Sequence, residues 1–319
     1  MPEDLMREFV EGLKEKRPDL KDILDGIYEA HKLVLSQEVA IDRHFLRYPP
    51  GHYYSPLPSR QEFLSVAKRV YGLPPGLTGI DLRIREQFRL FARLAKWHDE
   101  LPFTEEPQET LRYYYNNGYF GYADAYWLYA MMRDFCPKRI IEVGSGFSSA
   151  VMLDTSELFL GNEVQFTFIE PYPERLLSLL RAKDESRHRV YQEIVQNVSI
   201  EIFSELQEGD FLFIDSSHVA KIGSDVLYIL KYILPYINKN VFIHFHDIFY
   251  PFEYPREWLE EGRAWNECYI INAFLQYNTA FVIKLFGHFL CSEYTEMVRK
   301  GTPICLKNIG GSLWLEKIS

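Results

Sequence analysis

Apolar positions in the second half of this chain fall into short continuous runs separated by longer stretches of helical period. Runs at 139–143, 165–170, 211–215 and 241–247, with a weaker one near 190–196, read as strands. The helical stretches between and before them lie at about 123–134, 173–182, 198–206 and 221–234. Strand, helix, strand at these lengths predicts βαβ units and a largely parallel sheet with helices on both faces. After residue 251 a helix at about 256–276 leads to a run at 280–286, another helix, a turn at Gly310-Gly311 and a last strand at 312–316. Seven strands result.

The first hundred residues read differently. Leu5, Phe9 and Leu13, then Leu20, Ile23, Leu24 and Ile27, recur at helical spacing and predict helix over about 4–48, broken at Arg17-Pro18-Asp19 with Asp19 as a cap. Pro49-Pro50-Gly51 ends this region, and residues 52–58 read as extended or turn-like. Helices follow at about 60–71 and 83–97, separated by the turn Leu73-Pro74-Pro75-Gly76. The expected organisation is a helical N-terminal extension or substrate cap over 1–110 and an α/β domain over 111–319.

Composition narrows the class of partner. With 47% hydrophobic and 25% charged residues the chain can build a full core. A net charge of −10 and no basic run argue against nucleic acid and point to a small-molecule or peptide substrate. Cys136, Cys268, Cys291 and Cys305 show no paired spacing, which suits a reducing compartment. The acidic start Met1-Pro2-Glu3-Asp4 lacks a signal-peptide layout, and no apolar run approaches the roughly 18 residues that span a bilayer. Together these read as a cytoplasmic chain without membrane partners.

Ligands of open α/β sheets bind beyond the carboxyl ends of the strands. Four runs here end in an acid: Glu142, Glu170, Asp215 and Asp247. The first turn, Gly144-Ser145-Gly146-Phe147-Ser148-Ser149, combines glycines that permit close backbone approach with a helix N-terminus offering free N–H groups. A dinucleotide fingerprint would carry a third glycine where Ser149 stands, and Glu142 would repel a pyrophosphate. Glu142 instead suits a ligand carrying ammonium and sulfonium groups. Glu170 is placed to accept two ribose hydroxyls, with Pro171 and Tyr172 beside the base; its competing role is to cap the next helix. His244 and His246 share one strand face. His244 reads as a hydrogen-bonded core residue, whereas His246 and His218 are candidates for proton transfer.

The segments Ile-Ile-Glu-Val-Gly-Ser-Gly-Phe-Ser-Ser-Ala (140–150), Phe-Ile-Asp-Ser-Ser-His (213–218), His-Phe-His-Asp-Ile-Phe (244–249) and Gly-Gly-Ser-Leu-Trp-Leu (310–315) resemble class I S-adenosylmethionine-dependent methyltransferases. The branch they are most similar to is methyltransferase-24-like, near the metal-dependent O-methyltransferases. The resemblance spans about 111–319 and implies a Rossmann-like seven-stranded sheet whose last strand is antiparallel and inserted beside the sixth. It implies S-adenosylmethionine contacts from Glu142, Gly144, Ser145, Gly146, Ser148, Glu170, Pro171, Tyr172, Asp215 and Ser216, with Asn117 and Tyr119 from a segment folding over the cofactor. It also implies that Asp215 and Asp247, with His246, are the positions at which Mg²⁺ or another divalent metal would sit, although Ile248 stands where relatives carry an oxygen ligand. His218, His246 and Asp247 are the catalytic candidates for methyl transfer to an oxygen, or secondarily a nitrogen, of a small molecule or peptide.

Three other functions compete. The His/Asp cluster suits a non-heme metal oxygenase, which leaves the glycine turn and Glu142 without a task. The strand, turn and Glu170 suit a nicotinamide-dependent oxidoreductase, opposed by Ser149 and Glu142. A non-catalytic methyltransferase-like binding domain is the third.

Overall fold

Ile140, Ile141 and Val143 are stiff, branched residues that favour extended backbone, and they build β1 (Arg139–Val143) at the middle of a sheet buried on both faces. The computed structural model describes residues 3–38, 47–71 and 77–319. The other strands are β2 (Gln165–Ile169), β3 (Arg189–Tyr191), β4 (Phe211–Ile214), β5 (Phe242–Phe245), β6 (Phe281–Phe286) and β7 (Leu313–Lys317). Their order is β3-β2-β1-β4-β5-β7-β6. The first five are parallel, and β7 runs antiparallel between β5 and β6. This is the expected seven-stranded Rossmann-like sheet with its inverted last strand.

The order reverses at β1 and β4, so the switch point falls between the glycine turn and Asp215. Register carries the site forward from there. Val143 stands level with Ile169 and Ile214, and Ile214 with Phe245. The residue after each strand then takes one more ladder bond: Gly144 N to Ile169 O (3.0 Å), Asp215 N to Val143 O (2.8 Å), His246 N to Ile214 O (2.9 Å) and Glu170 N to Tyr191 O (3.0 Å). Four chemically distinct residues are thereby aligned along one edge.

Helix Tyr122–Phe135 is buried over most of its length and packs on helix Phe147–Phe159. Helix Ile84–Leu94 buries Gln87, Leu90, Phe91 and Leu94, and Gln87 Oε1 accepts the Phe286 N–H at 2.8 Å, fastening the helix to β6. Arg112 is almost fully buried and donates to Asp154, Glu157 and Asp184 at 2.8–3.1 Å, which anchors the chain just before the core. Two compact units are distinguished, Met1–Leu73 and Pro74–Ser319.

Several expected helices are shorter than their periodicity suggested. The stretch 256–276 is two helices, Arg256–Glu260 and Glu267–Leu275, because Gly262 stops the first. The stretch 221–234 begins at Asp225, and its turns widen over Ile229–Ile233 just ahead of Pro235, which has no N–H for the preceding turn. Only 3₁₀ turns form over 198–206. In the first unit, helices span Glu3–Lys16, Lys21–Glu38 and Arg60–Tyr71. Val10 and Leu24 are buried, whereas Phe9, Ile23 and Ile27 are exposed. Asp19 lies inside the turn Pro18–Leu20 rather than capping a helix, and its carboxylate pairs with Arg17 at 2.7 and 2.9 Å. The predicted helix beyond residue 38 and the turn Leu73-Pro74-Pro75-Gly76 fall, for 39–46 and 72–76, outside the described residues. Among the described residues no helix is long and apolar enough to cross a membrane.

Candidate active site

The glycine turn is held open from behind. Gly144 has φ of +82°, and a Cβ there would fall 1.7 Å from the Asp215 carbonyl oxygen, so only glycine lets β1 and β4 close at this point. Ser149 Oγ accepts the Gly146 N–H at 3.1 Å and donates to Glu142 Oε2, while Ser148 Oγ donates to Glu142 Oε1 at 2.5 Å. The serine at the third-glycine position therefore ties the turn to the strand beneath it. Glu142 is fully buried; burial pushes its pKa up to about 8, although the two hydroxyls pull the other way. Both its oxygens are engaged, and its side chain sits one layer behind the cavity wall.

A cavity opens beyond the turn, lined by Tyr119, Phe120, Gly144, Ser145, Gly146, Phe147, Ser148, Glu170, Arg175 and Asp215. Glu170 accepts Ser145 N at 3.0 Å and Tyr172 N at 2.8 Å, so it braces the turn instead of capping the next helix, whose N-terminal flank is Pro173. Each of its oxygens retains a lone pair for a further donor. Tyr119 stacks on Phe147 (6.1 Å between centroids), and the Arg175 guanidinium lies 3.7 Å over the Tyr119 ring. Arg175 carried no sequence signal beyond a charge in the first turn after β2.

Other expected cofactor residues stand elsewhere. Asn117 uses its amide within its own loop, accepting from Tyr119 N and Phe120 N and donating to Tyr114 O and Phe120 O at 2.6–3.0 Å. Tyr172 is exposed, and neither it nor Pro171 is part of the lining. Ser216 Oγ donates to Glu267 at 3.3 Å.

Beside Asp215 lies a buried cluster of imidazoles and carboxylates. His218, at φ of +59°, places Nδ1 2.9 Å from Glu267 Oε2 and Nε2 3.5 Å from Asp215 Oδ1 and 3.7 Å from Asp247 Oδ2. Its carbonyl accepts the N–H groups of Asn266 and Glu267, both at 3.1 Å, and Trp265 packs 4.5 Å from its ring. Burial disfavours a charged His218 ring, yet Asp215 and Glu267 overcome this and hold its pKa well above the usual value. Burial also works to raise Asp215, but His246 and His218 keep its carboxyl below the ordinary range. His246 Nε2 lies 3.5 Å from Asp247 Oδ1; despite burial, Asp247, Asp215 and Asp124 hold its pKa up. Asp124, on helix Tyr122–Phe135, accepts Gly311 N at 3.1 Å, and burial pushes it up to about 6. His244 is the core residue expected, stacked 4.0 Å on Phe213 with Nε2 3.0 Å from Ser312 Oγ.

Glu267 and Asp124 were missed by sequence reading. Glu267 opens a helix where one unbroken helix was expected; Gly262 and Asn266 were the available signals of a break. Asp124 is a lone acid in the apolar run 123–132.

The positions expected to hold a divalent metal, Asp215, Asp247 and His246, lie together beside His218, with imidazole nitrogens 3.5–3.7 Å from the carboxylate oxygens. Ile248, fully buried, supplies no oxygen where a further ligand would stand. Among the described residues no group of three or more His, Cys, Asp or Glu side chains is placed to hold a metal.

Comparison with known proteins follows the same lines. A family described as a methyltransferase domain matches residues 141–248. A protein of Archaeoglobus fulgidus, described only as uncharacterized, is 31% identical over 184 residues, which is 56% of this chain and 82% of that protein. The S-adenosylhomocysteine-bound Podospora anserina methyltransferase PaMTH1 is 14% identical with a TM-score of 0.41, over 82% of this chain and 98% of the other. The O-methyltransferase TomG of Streptomyces achromogenes, solved with S-adenosylmethionine, is 13% identical with a TM-score of 0.38, over 72% of this chain and 89% of the other. Residues 141–248 of this chain belong to the methyltransferase-domain family.

Proposed function

We propose that the chain methylates an oxygen, and secondarily a nitrogen, of a small molecule or peptide, with His218 receiving the acceptor's proton. The observation that carries this reading is the His218 imidazole, anchored through Nδ1 by Glu267 and presenting Nε2 to Asp215 at the cavity edge. S-adenosylmethionine supplies a methyl group on a sulfonium and leaves as a neutral thioether. Gly144, Ser145 and Gly146 would hold its amino-acid end by close backbone approach, and Glu170 would accept its ribose hydroxyls. Tyr119 and Phe147 would exclude water from one side. His218 takes the hydroxyl proton as the oxygen–carbon bond forms and the sulfur–carbon bond breaks, and Asp215 and Asp247 steady the resulting imidazolium. Residues 1–110 are kept in this proposal as the region that selects the acceptor.

Calorimetric titration with S-adenosylhomocysteine, followed by tritiated-methyl transfer to a panel of phenols, carboxylates, amines and peptides, tests it. One-site binding is expected, weakened roughly 10- to 100-fold in Glu170→Ala by loss of charge-assisted hydrogen bonds. His218→Ala is expected to bind the same ligand and to lose roughly 10²- to 10⁴-fold in turnover. Binding without turnover on any acceptor would favour a binding domain.

A further inference from the structure

Among the described residues that line the cavity, Glu170 and Asp215 are carboxylates and Arg175 alone carries a positive charge. We infer that Arg175 pairs with the α-carboxylate of the cofactor's amino-acid arm, and so makes the cavity select nucleosides that carry this carboxylate over those that lack it. The identity of the ligand comes from the methyl-transfer reading, and the assignment of the residue comes from geometry and charge.

Arg175 is held where the arm would lie. Its stem crosses the glycine turn, so that a Cβ on Gly146 would stand 3.2 Å from Arg175 Cδ and 3.8 Å from Nη1. The guanidinium beyond it is steered by a ring and not by a charge. It lies 3.7 Å over Tyr119, which is stacked on Phe147 with 12° between the ring planes. The loop keeps Tyr119 in place, with its N–H donating to Asn117 Oδ1 at 2.9 Å. A ring occupies one face of a guanidinium and leaves the N–H edge free to donate.

Those donors are unengaged. Among the described residues no carboxylate stands within ion-pairing distance of Arg175, and its side chain donates no hydrogen bond. Arg112, Arg133, Arg139, Arg181 and Arg189, by contrast, each face a carboxylate of the chain. An arginine that lines a cavity, is positioned by an aromatic face and keeps its fork open is arranged for an anion from outside.

Charge decides which part of the ligand that is. S-adenosylmethionine carries a single anionic group, the α-carboxylate, beside its ammonium and sulfonium. Against Glu170 or Asp215 that carboxylate would be repelled, whereas Arg175 offers it two parallel N–H groups. Glu170 and Asp215 remain for the hydroxyls and the cationic groups. Arg175 takes no part in proton transfer; it orients the arm and, through the arm, the sulfonium.

Calorimetry with a set of nucleosides tests the inference on the intact chain. The ligands are S-adenosylhomocysteine, its decarboxylated analogue, which keeps the ammonium and lacks only the carboxylate, and methylthioadenosine, which lacks the arm. Wild-type protein is expected to prefer S-adenosylhomocysteine to the decarboxylated analogue by roughly 10- to 100-fold. In Arg175→Gln that preference is expected to fall by roughly tenfold, with the affinity for methylthioadenosine unchanged. Arg175→Lys restores the charge without the planar fork and is expected to recover part of the preference. Arg175 is exposed, so both variants should melt with the wild type when no ligand is present. Equal weakening of every ligand in Arg175→Gln would place the residue against the nucleoside or in the packing, and overturns the inference. An undiminished preference overturns it too, as does a lysine variant no more selective than the glutamine one. Wild-type protein that binds none of the nucleosides defeats the methyl-transfer reading and the inference together, whereas binding with no change of preference defeats the inference alone.

Discussion

Gly144 and Asp215 meet so closely that the Asp215 carbonyl oxygen occupies the space a Cβ on residue 144 would need. That approach joins the cofactor turn after β1 to the first acid of the imidazole–carboxylate cluster after β4, so the two halves of the site share one backbone contact. Gly144→Ala must either part the strands or abandon the positive φ. Overpacking of this kind costs about 1–3 kcal/mol, with a further cost for the left-handed backbone. The expected result is a lowered melting temperature together with loss of S-adenosylhomocysteine binding. An alanine variant with unchanged affinity would mean that the turn adapts freely.

Glu142 links stability to pH. Its pKa is about 8 in the folded chain against an ordinary 4.5, so between those values the folded state holds a proton that the unfolded state has released. The contribution of this residue to stability is therefore greatest at low pH and is lost as pH rises through about 8. Glu142→Gln keeps the shape without the buried charge; its amide oxygen can accept from one of the two serines, and its NH₂ must donate to the other. The variant should gain on the wild type as pH is raised from about 5 to about 9, read as the difference between their melting temperatures. A difference that stays constant across that range would show that Glu142 does not titrate in the folded chain.

Much of this site lay open in the sequence because strand ends are local features. Glu170, Asp215 and Asp247 each close an apolar run, and parallel pairing brings such ends to one edge whatever the loops do, whereas Glu142 stands inside β1, behind the cavity wall. The glycine turn was legible for the same reason. Glu267 was not, because its role depends on where a helix begins, and periodicity marks the existence of a helix better than its boundary. Asn117 misled in the opposite sense: a polar residue in a segment that borders the cavity, it spends its hydrogen bonds on shaping the loop. The surroundings of the expected metal positions were not legible either. The sequence shows which acids reach the edge but not that an imidazole stands between them.

Turnover should carry the signature of His218. Its ring is faced by Asp215, Asp247 and Glu267, with His246 behind Asp247, and the carboxylates hold its pKa well above 6.5. A base must be unprotonated to act, so kcat/KM is expected to rise with pH through an apparent pKa above the ordinary histidine value. Glu267→Gln removes one of the charges that raise it, and the midpoint should move to lower pH while maximal turnover falls. A wild-type profile that is flat from about pH 6 to about pH 9 would remove His218 from the role of base.

Gly311 sets the position of Asp247 from the opposite strand. A Cβ on Gly311 would lie 2.7 Å from the Asp247 Cα, a backbone atom that cannot swing aside. Its N–H donates to Asp124 of helix Tyr122–Phe135 at 3.1 Å, and its carbonyl accepts Ile248 N at 2.8 Å, so the lead-in to β7 is tied to that helix and to the residue after Asp247. Gly311→Ala should push Asp247, already at a φ of +55°, away from His218 and His246. Because the cofactor turn lies on the other side of Asp215, affinity for S-adenosylhomocysteine should be nearly unchanged. Turnover should fall by roughly 100-fold, the scale on which small displacements of catalytic groups are felt. Parallel calorimetry and rate measurements on this variant decide the matter. Equal losses in both would mean that the site moves as one body, whereas a loss confined to turnover places Gly311 in the geometry of the proton-transfer cluster.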